Sequence, residues 1–214
     1  MKKGKLIIIS GFSGTGKGTL IKKLMDSYPG QYAFSISATT RQPRPGEVDG
    51  REYFFISHED FESMLACGKL LEYTRYGDNY YGTPADPIDR MLGDGKNIIL
   101  DIEVTGMHQV TAIRNDVLTV FIIPPSTDEL ISRLTGRGTE SEQDIAKRFQ
   151  RATEEAAFAT EYDCIIKNET LEVGVDELAH FIQNGSQDTQ KRLSNLALAE
   201  EIGEGLKRYL SQGD

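Results

Sequence analysis

The stretch Gly11-Phe12-Ser13-Gly14-Thr15-Gly16-Lys17-Gly18-Thr19 constrains this chain more than any other. An apolar run, Leu6 to Ile9, leads into it, and an amphipathic stretch from Leu20 to Leu24 leads out. Strand, glycine-rich turn and helix start, in that order, are what a phosphate-binding P-loop needs. Gly11, Gly14 and Gly16 allow positive φ and bring backbone N–H groups against an anion with no side chain between. Lys17 adds a mobile ammonium for the β- and γ-phosphates. Glycine, four residues, glycine and lysine after a buried-type strand favour this cradle over a chance glycine-rich turn.

One position departs from the usual pattern. Ser or Thr ordinarily follows the lysine and touches magnesium, whereas this chain has Gly18 there and Thr19 one place later. The order Gly-Lys-Gly-Thr resembles that of nucleoside monophosphate kinases, which narrows nucleotide binding towards phosphoryl transfer. The expected ATP-binding residues are therefore Gly11, Ser13, Gly14, Thr15, Gly16, Lys17, Gly18 and Thr19, with Thr19 also a candidate magnesium ligand.

The rest of the composition bounds the partners. At 214 residues the chain suits one to two domains with one sizeable core. No apolar run approaches the ~20 residues of a membrane span, and the four apolar residues after the basic start are too short for a signal core. A cytoplasmic protein is expected. The net charge of −9 disfavours general nucleic-acid binding, so any polyanion must meet a local basic cluster. Cys67 and Cys164 show no metal spacing or disulfide framework and read as buried thiols. His58, His108 and His180 are scattered, which suits structural or surface roles.

Strands are expected at about Lys5–Ser10, Tyr32–Ile36, Tyr53–Phe55, Lys69–Tyr76, Asn97–Leu100, Leu118–Ile123 and Cys164–Ile166. Helices alternate with them, with N-cap signals at Ser57 and Ser126. A long helix is expected over Glu142–Tyr162 and another over Leu171–Gln183. Leu193, Leu196, Ile202, Leu206 and Leu210 space a last helix, packed on the protomer or on a partner. Continuous apolar strands separated by helices predict an α/β P-loop fold with a mostly parallel, helix-covered sheet. The predicted core is 1–36 and 88–184, with a lid at about 136–142. A strand-rich insert spans 37–87, and a helical extension spans 185–214.

The stretch after the P-loop resembles guanylate kinase. It carries Ser37, Thr39-Thr40-Arg41-Gln42-Pro43-Arg44-Pro45-Gly46-Glu47 and Gly50-Arg51-Glu52-Tyr53. Asn79-Tyr80-Tyr81-Gly82-Thr83, Leu100-Asp101-Ile102, Pro124-Pro125-Ser126 and Arg133-Leu134-x-Gly136-Arg137-Gly138 follow in the family's order. The resemblance implies transfer of the ATP γ-phosphate to GMP with Mg²⁺, and acceptance of dGMP. Arg41, Arg44, Tyr53 and Tyr81 would grip the GMP phosphate, since guanidinium forks and phenol donors suit a dianion.

Ser37, Glu72 and Thr83 would form the guanine pocket. A carboxylate accepts from guanine N1 and N2, whereas adenine presents a lone pair at N1 and has no N2 amine. Glu103 stands where the family has aspartate and would reach the same pocket. Asp101 would orient magnesium through water. Lys17, Arg41, Arg133, Arg137 and Arg148 would stabilise the transferring phosphoryl group, with Arg137 in the lid. Asn168 matches an adenine-side position.

Two rivals compete with this reading. Another nucleoside monophosphate kinase would share the loop and the arginines but not the Thr39–Glu47 stretch or the Glu72/Thr83 pair. A non-catalytic guanylate-kinase-like phosphopeptide module would typically have lost the P-loop. Residue pattern leaves monomer and homo-oligomer equally open.

Overall fold

The computed structural model describes residues 3–136 and 142–211, with the side chains of 142–144 left aside. The chain divides into two compact units, one of residues 1–8 and 30–117 and the other of 9–29 and 118–214. Strand β1 (Leu6–Gly11) is shared by both and is buried along its whole length. Its unbroken apolar run suits a strand with both faces covered.

In the first unit, β2 (Tyr32–Phe34) and β7 (Asn97–Asp101) pair in parallel, and the strand order is β2-β7-β1. The chain segment from β2 to β7 forms a second sheet. It is made of β3 (Ala38–Thr39), β4 (Phe54–Phe55), β5 (Leu70–Tyr76) and β6 (Asn79–Pro84), in the order β4-β3-β6-β5. The expected strand through Ile36 thus stops at Phe34, because the chain leaves one sheet there and enters the other at Ala38.

The second sheet has its own small core. Ala38, Phe61 and Leu70 are buried, with Phe54, Ile56, Met64, Leu65 and Tyr80 packed on them. Phe61 comes from α2 (His58–Ala66), whose N-cap Ser57 Oγ accepts from the Asp60 N–H at 3.0 Å. Phe61 stacks on Tyr80 with ring centroids 5.1 Å apart, and burying such a ring contributes roughly 1.5–3 kcal/mol. Helices α3 (Ala85–Gly93) and α4 (Val104–Ile113) complete the unit.

In the second unit, β1 is followed by α1 (Lys17–Ser27), and the strand order continues β1-β8-β9. Strands β8 (Val117–Ile123) and β9 (Cys164–Lys167) pair in parallel. Helices α5 (Thr127–Thr135), α6 (Glu142–Ala156), α7 (Leu171–Asn184) and α8 (Thr189–Ser211) follow. Ser126 Oγ accepts from the Glu129 N–H, as its N-cap signal predicts.

Three expectations need correction. The helix expected to run to Tyr162 ends at Ala156 and gives way to a 3₁₀ turn at Ala159–Glu161. Bonds from the Ala157 and Phe158 N–H groups to carbonyls three residues back tighten its end. Leaving the helix there lets Tyr162 bury fully against Phe121, at 5.0 Å between centroids. Cys67 is exposed, because it sits at the C-cap of α2 where the chain turns outward; only Cys164 is buried, and desolvation pushes its thiol up to about 12. Leu193 lies on the outer side of α8, whose buried stripe is Asn195, Ala199, Ile202, Gly203 and Leu206.

That stripe decides where the last helix packs. Ile202 and Leu206 are fully buried within the single chain, and Tyr209 packs its ring on Phe149 of α6 at 5.3 Å. Gln187 and Asn195 cover the backbone of β9. The Gln187 amide accepts from the Ile165 N–H at 3.0 Å, and Asn195 Nδ2 donates to the Ile165 carbonyl at 2.7 Å.

Candidate active site

Each unit holds one cluster of the expected site residues. In the second unit, β1 ends at Gly11, where φ is +148°. A Cβ built there would lie 2.2 Å from the Ile122 carbonyl oxygen, so only glycine lets the loop leave the strand against β8. Gly16 takes the N-cap place of α1 with φ +82°. No acidic residue sits in the first turn of α1, so the helix start combines unneutralised N–H groups with Lys17 on its first turn.

The loop is held from several sides. Thr15 is fully buried, and its hydroxyl donates to the Phe12 carbonyl at 3.0 Å. The Thr15 carbonyl accepts from Asn168 Nδ2 at 2.6 Å and from Arg133 Nη1 at 3.3 Å. Arg133 is also tied to Glu129, Nε to Oε1 at 2.8 Å. Arg148 Nη1 lies 3.4 Å from Ser13 Oγ. Lys17, Arg133 and Arg148 therefore gather around one loop. Asn168 is buried and spends its amide on that loop's backbone. Gly18 and Thr19 lie exposed on the first turn of α1. Arg137, and with it 137–141 of the expected lid, lies outside the described residues.

In the first unit a cavity of about 270 Å³ opens on the second sheet. Ser37, Tyr53, Glu72, Tyr81, Asp101 and Glu103 are among the residues that line it. Glu72 is only 7% exposed, and its Oε1 accepts from the hydroxyl of fully buried Thr83 at 2.5 Å. A register shift in β5 between Leu70 and Glu72 sets Glu72 directly opposite Thr83 on β6. Such a bulge re-aims a side chain. Desolvation raises the Glu72 carboxyl above its ordinary 4.5; the Thr83 hydrogen bond acts against this and the charge of Glu103 adds to it. Glu103 occupies the N-cap place of α4 without capping it through its side chain.

Of the four residues expected to grip the GMP phosphate, Arg41, Tyr53 and Tyr81 come together in the same unit. The guanidinium of Arg41 lies over the Tyr53 and Phe55 rings, 5.3 and 5.6 Å from their centroids. Tyr53 meets Tyr81 edge-on at 6.0 Å. Arg41 donates both terminal nitrogens to Glu47, at 2.9 and 3.0 Å. The Arg44 backbone N–H donates to the same carboxylate at 2.6 Å, while the Arg44 side chain is exposed. These hydrogen bonds, led by Arg41, hold the Glu47 carboxyl down at about 2. Glu47 fixes the Arg41 fork and received no role from its place in the motif. Its position three to six residues from the two arginines was the available signal.

Of the two residues expected to serve magnesium, the Asp101 carboxylate stands at the end of β7 in the first unit and Thr19 on the first turn of α1 in the second. No cluster of three acidic, histidine or cysteine side chains suited to a metal occurs among the described residues. Carboxylate and hydroxyl oxygens are of the hard kind that suits Mg²⁺. No helix among the described residues is long and apolar enough to cross a membrane.

A strand–loop–helix phosphate cradle on a mostly parallel sheet, with a polar pocket in a small second sheet, defines a P-loop nucleotide-binding fold. A family model described as guanylate kinase matches residues 3–185, and the chain belongs to that family. The curated guanylate kinase of Trichodesmium erythraeum is 49% identical over 172 residues, 80% of this chain and 92% of its own length. That of Desulfitobacterium hafniense is 41% identical over 210 residues, 98% of this chain and 97% of its own. Among solved structures, the guanylate kinase from Anaplasma phagocytophilum superposes with a TM-score of 0.65 at 26% identity. That match covers 88% of this chain and 89% of the other.

Proposed function

We propose that this protein is an ATP:GMP phosphotransferase that converts GMP, and dGMP, to the diphosphate with release of ADP, acting in purine nucleotide metabolism in the cytoplasm. The observation that carries the reading is the buried Glu72 carboxylate, bonded from behind by Thr83 and lining a cavity that also reaches Tyr53 and Tyr81. A carboxylate there offers acceptors to guanine N1–H and N2–H, and Ser37 and Glu103 add polar groups to the lining. Arg41, Arg44, Tyr53 and Tyr81 receive the monophosphate; Arg41 is pre-oriented by Glu47 and by the rings beneath it.

The ATP phosphates belong on the loop from Gly11 to Thr19, with Lys17 at the β- and γ-positions. Asn168, on the adenine side, also supports this cradle through the Thr15 carbonyl. Arg133 and Arg148, joined by Arg137, offset the charge that spreads over the transferring phosphoryl oxygens. Asp101, through water, and Thr19 are the residues that would serve Mg²⁺, which would supply positive charge against the nucleotide phosphates.

The test is an ADP-release assay with ATP against GMP, dGMP, AMP, UMP and CMP. Turnover with GMP and dGMP is expected, with collapse of transfer and retained GMP binding in Lys17→Ala. Equal turnover with AMP would overturn the specificity, and wild-type turnover in Lys17→Ala would remove the loop from the phosphate site.

A further inference from the structure

Strand β5 lies at the end of the four-stranded sheet, so one side of its backbone has no strand partner among the described residues. At Tyr73, the residue after Glu72, that side is filled by a side chain. Gln109 of α4 accepts from the Tyr73 N–H through Oε1 at 3.0 Å and donates from Nε2 to the Tyr73 carbonyl at 2.9 Å. A primary amide thus takes both places a neighbouring strand would take. On its other side Tyr73 is paired with Gly82, next to Thr83.

One turn earlier on α4, Gly106 faces Glu72 itself. A Cβ there would lie 3.2 Å from Glu72 Oε2, closer than side-chain carbons ordinarily come to a neighbour. The same helix therefore clamps the backbone beside Glu72 and leaves room for its carboxylate. Thr83 thus holds Oε1 and Gln109 holds the adjoining peptide, while the bare Cα of Gly106 leaves room beside Oε2.

We infer that Gln109 is a positioning residue for base recognition: its two-way bond to the Tyr73 backbone fixes the Glu72 carboxylate at the geometry that guanine requires. This rests on Glu72 being the guanine acceptor. A two-point recognition contact tolerates little displacement, since a shift of about 1 Å can cost on the order of 100-fold. A structural role alone, satisfying an edge strand, would cost stability without touching substrate choice.

The test is Gln109→Met, which keeps the length and packing of the side chain but neither hydrogen bond, with Gln109→Glu as a second variant. The glutamate keeps the acceptor for the Tyr73 N–H but sets an oxygen against the Tyr73 carbonyl. In Gln109→Met, faster exchange of the Tyr73 amide is expected, with KM for GMP raised about 5–30-fold. The GMP/AMP preference should fall, and KM for ATP should stay within about twofold, since this clamp does not touch the ATP-binding loop. Should the Met variant fail to fold, the KM values for GMP and ATP and the GMP/AMP preference of Gln109→Glu decide. Lost Tyr73 protection with unchanged GMP KM and preference overturns the inference, as does an equal rise in both KM values. Glu72→Ala run alongside separates the two layers. If it keeps the GMP preference, the guanine reading itself fails. If it loses the preference while the Gln109 variants keep theirs, only the positioning role fails.

Discussion

Replacing Glu72 by glutamine changes one atom and reverses what the pocket offers a purine. Thr83 donates to Oε1, so a glutamine keeps its carbonyl oxygen there and presents its NH₂ where Oε2 stood. That NH₂ faces the N1–H of guanine, donor against donor. Losing a charge-assisted hydrogen bond costs about 1.5–3 kcal/mol, and leaving a buried donor unmatched costs about 1–3 more. GMP should bind roughly 10²–10⁴-fold more weakly. Adenine N1 is an acceptor, so AMP should gain about 2–10-fold.

The pH dependence follows the same group. Burial raises the Glu72 pKa above 4.5, so the folded protein holds this proton more tightly than the unfolded chain does. Its contribution to stability is full below the unfolded pKa and is lost as pH rises through the folded one. GMP affinity runs the other way and rises with pH across that window, because guanine needs the ionised form. Calorimetric titration of GMP and AMP against the wild type and Glu72→Gln, over pH 5–8, reads both effects. A GMP/AMP ratio unchanged within about threefold, or the same low-pH inflection in both proteins, would refute the reasoning.

Two further outcomes concern stability. Gly11→Ala places a methyl 2.2 Å from a backbone oxygen at φ +148°, and strained backbone of this kind alone costs about 1–3 kcal/mol; denaturant melts should show at least that loss, and a wild-type midpoint would mean the loop can leave β1 another way. Leu206→Ala empties a fully buried site on α8 and should cost about 2–5 kcal/mol. Because the helix packs within its own protomer, that loss should not depend on protein concentration. A loss that vanishes on dilution would place Leu206 at an interface between copies.

What the sequence by itself determined was local in origin. The glycine spacing from Gly11 to Gly16 and the lysine after it define the cradle, since backbone freedom and anion-facing N–H groups are properties of consecutive residues. The apolar runs at Leu6–Ile9, Ile98–Leu100 and Leu118–Ile123 announce buried strands for the same reason, as Ser57 and Ser126 announce helix starts. The motif around Arg41 carried the family. Tertiary structure decided the rest. The helix after Glu142 stops at Ala156 because Tyr162 must reach Phe121, a demand that no local propensity expresses. Ile202 and Leu206, rather than Leu193, face inward because α6 and β9 lie on that side of α8. Asn168 on the loop depends on a partner 153 residues away that only the fold brings near. Gln109 shows this most plainly. A glutamine within a helix gives no sign of its use, and only the approach of α4 to the free edge of β5 turns its amide into the clamp beside Glu72.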